Sequence, residues 1–71
     1  MEYLVVLFPR RRRVKINDGF NGYTNELIEL DGGPYTVSLG PPPNFTPQSR
    51  DVDLRNTAPL TPMIVQFEES D

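Results

Sequence analysis

Arg10, Arg11, Arg12 and Arg13 stand in a row, and Lys15 follows one residue later. Guanidinium and ammonium groups at this density grip phosphate or carboxylate oxygens, and the natural targets are nucleic acid or anionic lipid headgroups. On an extended chain, however, successive side chains point to opposite faces. Only Arg11, Arg13 and Lys15 then share a side, and they make a short stripe. The first 15 residues hold five basic groups against Glu2, whereas the rest holds Arg50 and Arg55 against nine carboxylates. That acidic body disfavours a nucleic-acid partner. The plainer expectation is cross-strand ion pairing of these arginines with Asp51, Asp53 or Glu68, and no aromatic RNA-binding strand motif accompanies the stripe.

Phe20 and Tyr23 form the second candidate group, because aromatic rings in a turn can stack on a glycan or a peptide. The competing expectation for this chain's aromatics is closure of a small core, which fits Tyr35 and Phe45 best. Asn17, Asp18, Asn21 and Asp31 are oxygen donors, but their spacing departs from a calcium loop and turn chemistry accounts for them. The chain has no His and no Cys. Disulfides are excluded, and the thiolate and imidazole ligands that zinc, copper or iron favour are missing. Ser38 and Ser49 sit in no nucleophile motif, and there is no glycine-rich phosphate loop. The sequence therefore reads as a non-enzyme, with no catalytic residue, no cofactor and no metal site.

The elements that would position these residues follow from the apolar pattern. Residues 2–8 are nearly all apolar and β-branched or aromatic, the composition of a strand covered on both faces. Residues 11–17 alternate, with Val14 and Ile16 inward and Lys15 outward. Asn, Asp and Gly then cluster between 17 and 22, a turn signal that extends the aromatic turn over residues 18–24. A third strand over 26–30 turns Ile28 and Leu30 inward, and a glycine reversal at Gly32 and Gly33 leads into a fourth over 34–39, with Tyr35, Val37 and Leu39 on one face. Residues 40–49, rich in proline, form a long irregular loop from which Phe45 folds back into the core. Two more alternating strands follow, 50–55 with Val52 and Leu54 inward and 62–68 with Met63, Val65 and Phe67 inward, before a frayed tail at 69–71. The expected fold is all-β: one domain over 1–71, a small antiparallel β-sandwich of about six strands with no substantial helix.

At this point the order of elements resembles a PEGA-type domain, a small sandwich module with a transthyretin-like or carboxypeptidase-regulatory-like topology. The residues that carry the likeness are Val14-Lys15-Ile16-Asn17-Asp18-Gly19, then Gly22-Tyr23-Thr24, then Gly33-Pro34-Tyr35-Thr36-Val37, similar to the family's G-x-Y-x-V. This chain has Asn25 where the family usually has proline, and Asn44-Phe45 where a Gly-Tyr is common. The resemblance implies an accessory or adhesive role in larger surface-associated proteins, and it transfers no catalytic residue.

Net charge is −3, and a chain of 71 residues has room for one domain only. Domains this small bury roughly 60% of their unfolded surface and usually need a staple. Without disulfide or zinc, either the core is efficient or the domain associates with a protein partner or another copy, and association is the favoured expectation. No stretch reaches the ~18 apolar residues of a membrane span. Basic residues follow the first apolar run instead of preceding it, unlike a secretory signal. A cytoplasmic location is expected if Met1 is the native start, and an envelope or surface location if the domain is cut from a longer protein. The sequence thus points to a non-catalytic interaction or structural module acting through an edge strand or loop surface. Anion binding by Arg11, Arg13 and Lys15 stands second, and carbohydrate binding by Phe20 and Tyr23 third.

Overall fold

Alternation in the sequence becomes two layers in the computed structural model, which describes residues 1–70 and is all β. The strands are β1 (Glu2–Leu7), β2 (Arg13–Ile16), β3 (Gly19–Tyr23), β4 (Leu27–Leu30), β5 (Gly33–Leu39), β6 (Phe45–Thr46), β7 (Arg50–Leu54), β8 (Met63–Gln66) and β9 (Glu68–Glu69). One sheet has the order β4-β1-β8 and the other β3-β2-β5-β7, with β6 and β9 paired as a small third sheet. Leu4, Val6, Ile28 and Val65 from the first sheet, with Phe8 just beyond β1, meet Val14, Ile16, Val37, Leu39 and Leu54 from the second in one core. Phe45 and Phe67 close its end edge to face, their ring centres 5.8 Å apart. None of the described residues forms a helix, so none could cross a membrane as one.

Four expectations need correction. The sheet is not wholly antiparallel, because β1 runs parallel to β8 with Leu4 opposite Met63 and Leu7 opposite Gln66. Phe20 and Tyr23 do not lie in a turn over 18–24; they lie on β3, an edge strand paired with β2. The turn itself is only Asn17 and Asp18, both with positive φ (48° and 69°), as a tight two-residue hairpin requires. The proline-rich loop at 40–49 contains β6, and the tail is not frayed at its start. Glu68 and Glu69 pair with β6, and the Ser70 N–H donates to the Asn44 carbonyl, while Asp71 lies outside the described residues. The last three share a cause, since short backbone pairings leave no side-chain alternation to read, whereas the direction of β8 against β1 is set by topology and not by alternation.

Residues 24 and 25 tie the two sheets together. Thr24 is fully buried; its hydroxyl accepts from the Arg12 N–H (2.8 Å) and donates to the Arg10 carbonyl (2.7 Å). The Asn25 N–H donates to the Val6 carbonyl at 2.7 Å. The Asn25 side chain accepts from the Phe8 N–H and donates to the Phe8 carbonyl, so an amide imitates a neighbouring strand where β1 ends. Buried polar groups that find partners in this way hold a fold in one arrangement.

At the opposite end of β1, Glu2 anchors the turn before β8. Its carboxylate accepts from the Thr57 hydroxyl (2.6 Å) and from the Thr57 N–H (2.9 Å), and these bonds hold its pKa below the ordinary value of 4.5. A carboxyl with a lowered folded-state pKa stabilises the fold above its unfolded pKa. That stabilisation is lost as pH falls through the folded value. Glu2→Gln is therefore expected to melt earlier than the wild type at neutral pH. The gap should narrow as pH is lowered from neutral through 4.5 and below, because the folded-state value lies under the ordinary one. Thermal melts of both proteins across that range check it, and a constant gap would mean that the Glu2 charge plays no part.

Candidate interaction surfaces

The basic stripe and the aromatic pair, separate in the sequence, come together on the β2–β3 hairpin. The Arg11 guanidinium lies 3.8 Å from the centre of the Tyr23 ring and also pairs with Glu26 at 2.9 Å. Arg13 lies 3.9 Å above Phe20, and Lys15 faces Asp18 at 4.0 Å. Each stacked pair contributes about 0.5–1 kcal/mol at an exposed site. The expected ion pairs with Asp51, Asp53 and Glu68 are not the ones formed. Strand β5 stands between β2 and β7, so Asp53 bonds Arg55 and Asp51 accepts from the Thr36 hydroxyl. Arg10 takes Glu69. Arg12, on the inward side, donates to the Gly40 and Pro42 carbonyls and to the Asn44 side chain, so it fastens the proline-rich loop instead of facing a ligand. Most of the basic run is thus engaged within the molecule, and the faces of Phe20 and Tyr23 already carry guanidinium groups.

The outer face of the β4-β1-β8 sheet is different. Alternation turns Leu4 and Val6 into the core and Tyr3, Val5 and Leu7 outward, where they are only half-buried. The register sets Leu27 of β4 and Ile64 of β8 on either side of Val5. Leu27 is 47% exposed and Ile64 54% exposed, so three apolar side chains form an uncovered row across the sheet. The expectation that β1 is covered on both faces fails here: its inner face is closed and its outer face is open. Sequence reasoning did not single out Leu27 or Ile64. The available signal was Ile64 itself, an isoleucine at an outward position between inward Met63 and Val65.

A third feature lies where the two sheets fail to meet. Strands β7 and β8 are both edges, each paired on one side only, and between them runs a groove of about 600 Å³. Half-buried Val52 and Met63 and buried Val65 line it, and the Arg50 Nε–H crosses to the Gln66 carbonyl at 3.1 Å. Compared with protein-family models, with curated proteins and with solved structures, the chain matches none.

Proposed function

We propose that this chain is a non-catalytic protein-interaction module that associates with a second copy through the outer face of the β4-β1-β8 sheet. The observation that carries the reading is the row Leu27, Val5, Ile64, apolar and uncovered on a sheet whose other face already closes the core. Exposed apolar patches mark association sites. Among the outward residues of this sheet only Glu29 is charged, and depletion of charge with apolar contact is the character of homodimer interfaces. One face meeting its own copy about a two-fold axis needs no second kind of surface. The resemblance to PEGA-type modules, with an accessory role and no catalytic residues, belongs to the same proposal. Anion binding by Arg11, Arg13 and Lys15 and glycan stacking on Phe20 and Tyr23 rank behind it, because the ion pairs and stacked rings already engage most of those groups.

Sedimentation equilibrium over a concentration series tests the proposal. The wild type is expected to dimerise, and Leu27→Lys and Val5→Asp to stay folded and monomeric, because both side chains face outward. Val5→Asp is then a probe of association even though β1 is a central strand; unfolding is the expected fate of Leu4→Asp instead. A wild type that stays monomeric at every concentration rejects the second copy as occupant of this face.

A further inference from the structure

The groove between β7 and β8 is bounded by backbone as well as by side chains. Thr36 exchanges its bonds with Asn17, toward β2. Alternation along an antiparallel strand therefore aims Tyr35 and Val37 at β7, where their register partners are Val52 and Arg50. The N–H and C=O groups of Asp51 and Asp53 consequently point away from β5. On the other side the Phe67 N–H donates to the Leu7 carbonyl. The same alternation turns the backbone groups of Ile64 and Gln66 away from β1. Two edges thus present ladder donors and acceptors across one groove, and the Arg50 bond to the Gln66 carbonyl spans them.

Charge selects the occupant. Among the described residues no carboxylate pairs with Arg50. The Asp51 carboxylate, its neighbour, is turned to the outer face and held by the Thr36 hydroxyl. Asp51 also lines the groove, but with its carboxylate held by Thr36 the charge left there without an ionic partner among the described residues is Arg50, over a floor of Val52, Met63 and Val65. We propose that this groove receives an extended segment of a partner polypeptide, added as a strand between β7 and β8, with a carboxylate of that segment meeting Arg50. Main-chain bonds to an exposed edge supply affinity in such strand addition, and alternate side chains supply specificity. Apolar side chains of the segment would sit on the Val52–Met63–Val65 floor. Arg50 would exchange a weak bond to a carbonyl for a charge-assisted one to a carboxylate.

The inference rests on the interaction-module reading, and its groove shares only Ile64 with the self-association row. Its probe is a display library of ten-residue peptides with valine at alternate positions and the remaining positions randomised. Selection on the wild type is expected to enrich an acidic residue at one position. Bound peptide should slow hydrogen exchange at the amides of Asp51, Asp53, Ile64 and Gln66. Arg50→Ala is expected to weaken selected peptides about tenfold, and Arg50→Glu to shift the selected residue from acidic to basic. Asp51→Pro removes an edge donor and should abolish binding. Asp51→Asn keeps that N–H and should bind as the wild type does, which separates the ladder from the charge. Leu27→Lys should select the same peptides, so failure of the self-association face is distinguishable from failure of the groove. The proposal is overturned if no peptide is selected, if acidic residues are not enriched, or if binding survives Asp51→Pro. It is equally overturned if the groove amides are already protected in a wild-type dimer, which would give the groove to a second copy.

Discussion

Replacing Asn25 with proline is expected to abolish the cooperative thermal transition of this domain. Asn25 sits at φ +65°, whereas the pyrrolidine ring fixes φ near −65°, so the chain could not make its crossing from β3 to β4. The substitution also deletes the N–H that reaches Val6 and both side-chain bonds to Phe8. A misplaced proline costs about 3 kcal/mol or more, while a domain of this length has a total stability of several kcal/mol, at roughly 0.05–0.15 kcal/mol per residue. Asn25→Gly is the informative companion. Glycine adopts the same φ and keeps the N–H, so only the side-chain bonds are lost. Its Tm should fall by a few degrees, since about 1 kcal/mol corresponds to ~4–8 °C in a domain of this size. Equal melting curves for the two variants would refute the backbone argument.

Gly22→Val should be nearly as damaging. Gly22 has φ +77°, and a Cβ placed there would stand 2.8 Å from Cγ1 of the buried Ile28. The register between β2 and β3 shifts at this point, from Arg13 opposite Tyr23 to Lys15 opposite Phe20, so Gly22 lies in a bulge that folds β3 down toward β4. A β-branched residue in the left-handed region costs about 1–3 kcal/mol, and forcing a side chain into a packed core about 1–3 kcal/mol more. A loss of more than ~10 °C in Tm is expected. Combining Gly22→Val with Ile28→Ala gives the decisive comparison. If the two side chains collide, the double variant is less destabilised than the sum of the single ones. Strict additivity would show that Ile28 moves aside without cost.

Both residues lie where the sequence was hardest to interpret. The inward positions of β2, β5, β7 and β8 were legible because alternation decides which side chains reach a core, and Val14, Val37, Leu54 and Val65 are buried as that rule requires. Strand β3 was not legible. Its residues Gly19, Phe20, Asn21, Gly22 and Tyr23 are all exposed, so backbone pairing alone makes it a strand, and its composition reads as a turn. The ion pairs were missed for a topological reason: nothing local says that β5 separates β2 from β7. The apolar excess of β1 was visible, but its alignment with Leu27 and Ile64 depends on registers set by non-local pairing. The groove depends on the edges of two different sheets, and no short segment encodes it.

The parallel partnership of the first long strand with the last has a kinetic consequence. Val5 faces Ile64 across almost the full length of the chain, and such a contact carries a large loop-closure cost before it returns any stabilisation. The hairpin around Asn17 and Asp18 can assemble early, from neighbours only. The sheet containing β1 has to wait until its distant partner arrives. Chains dominated by such non-local pairing fold in milliseconds to seconds rather than microseconds. Throughout that interval the most apolar segment of the molecule is unsheltered along one side. Folding yield in this domain should therefore depend on concentration more steeply than native stability does, because encounters between unfinished chains compete with pairing of β1 and β8.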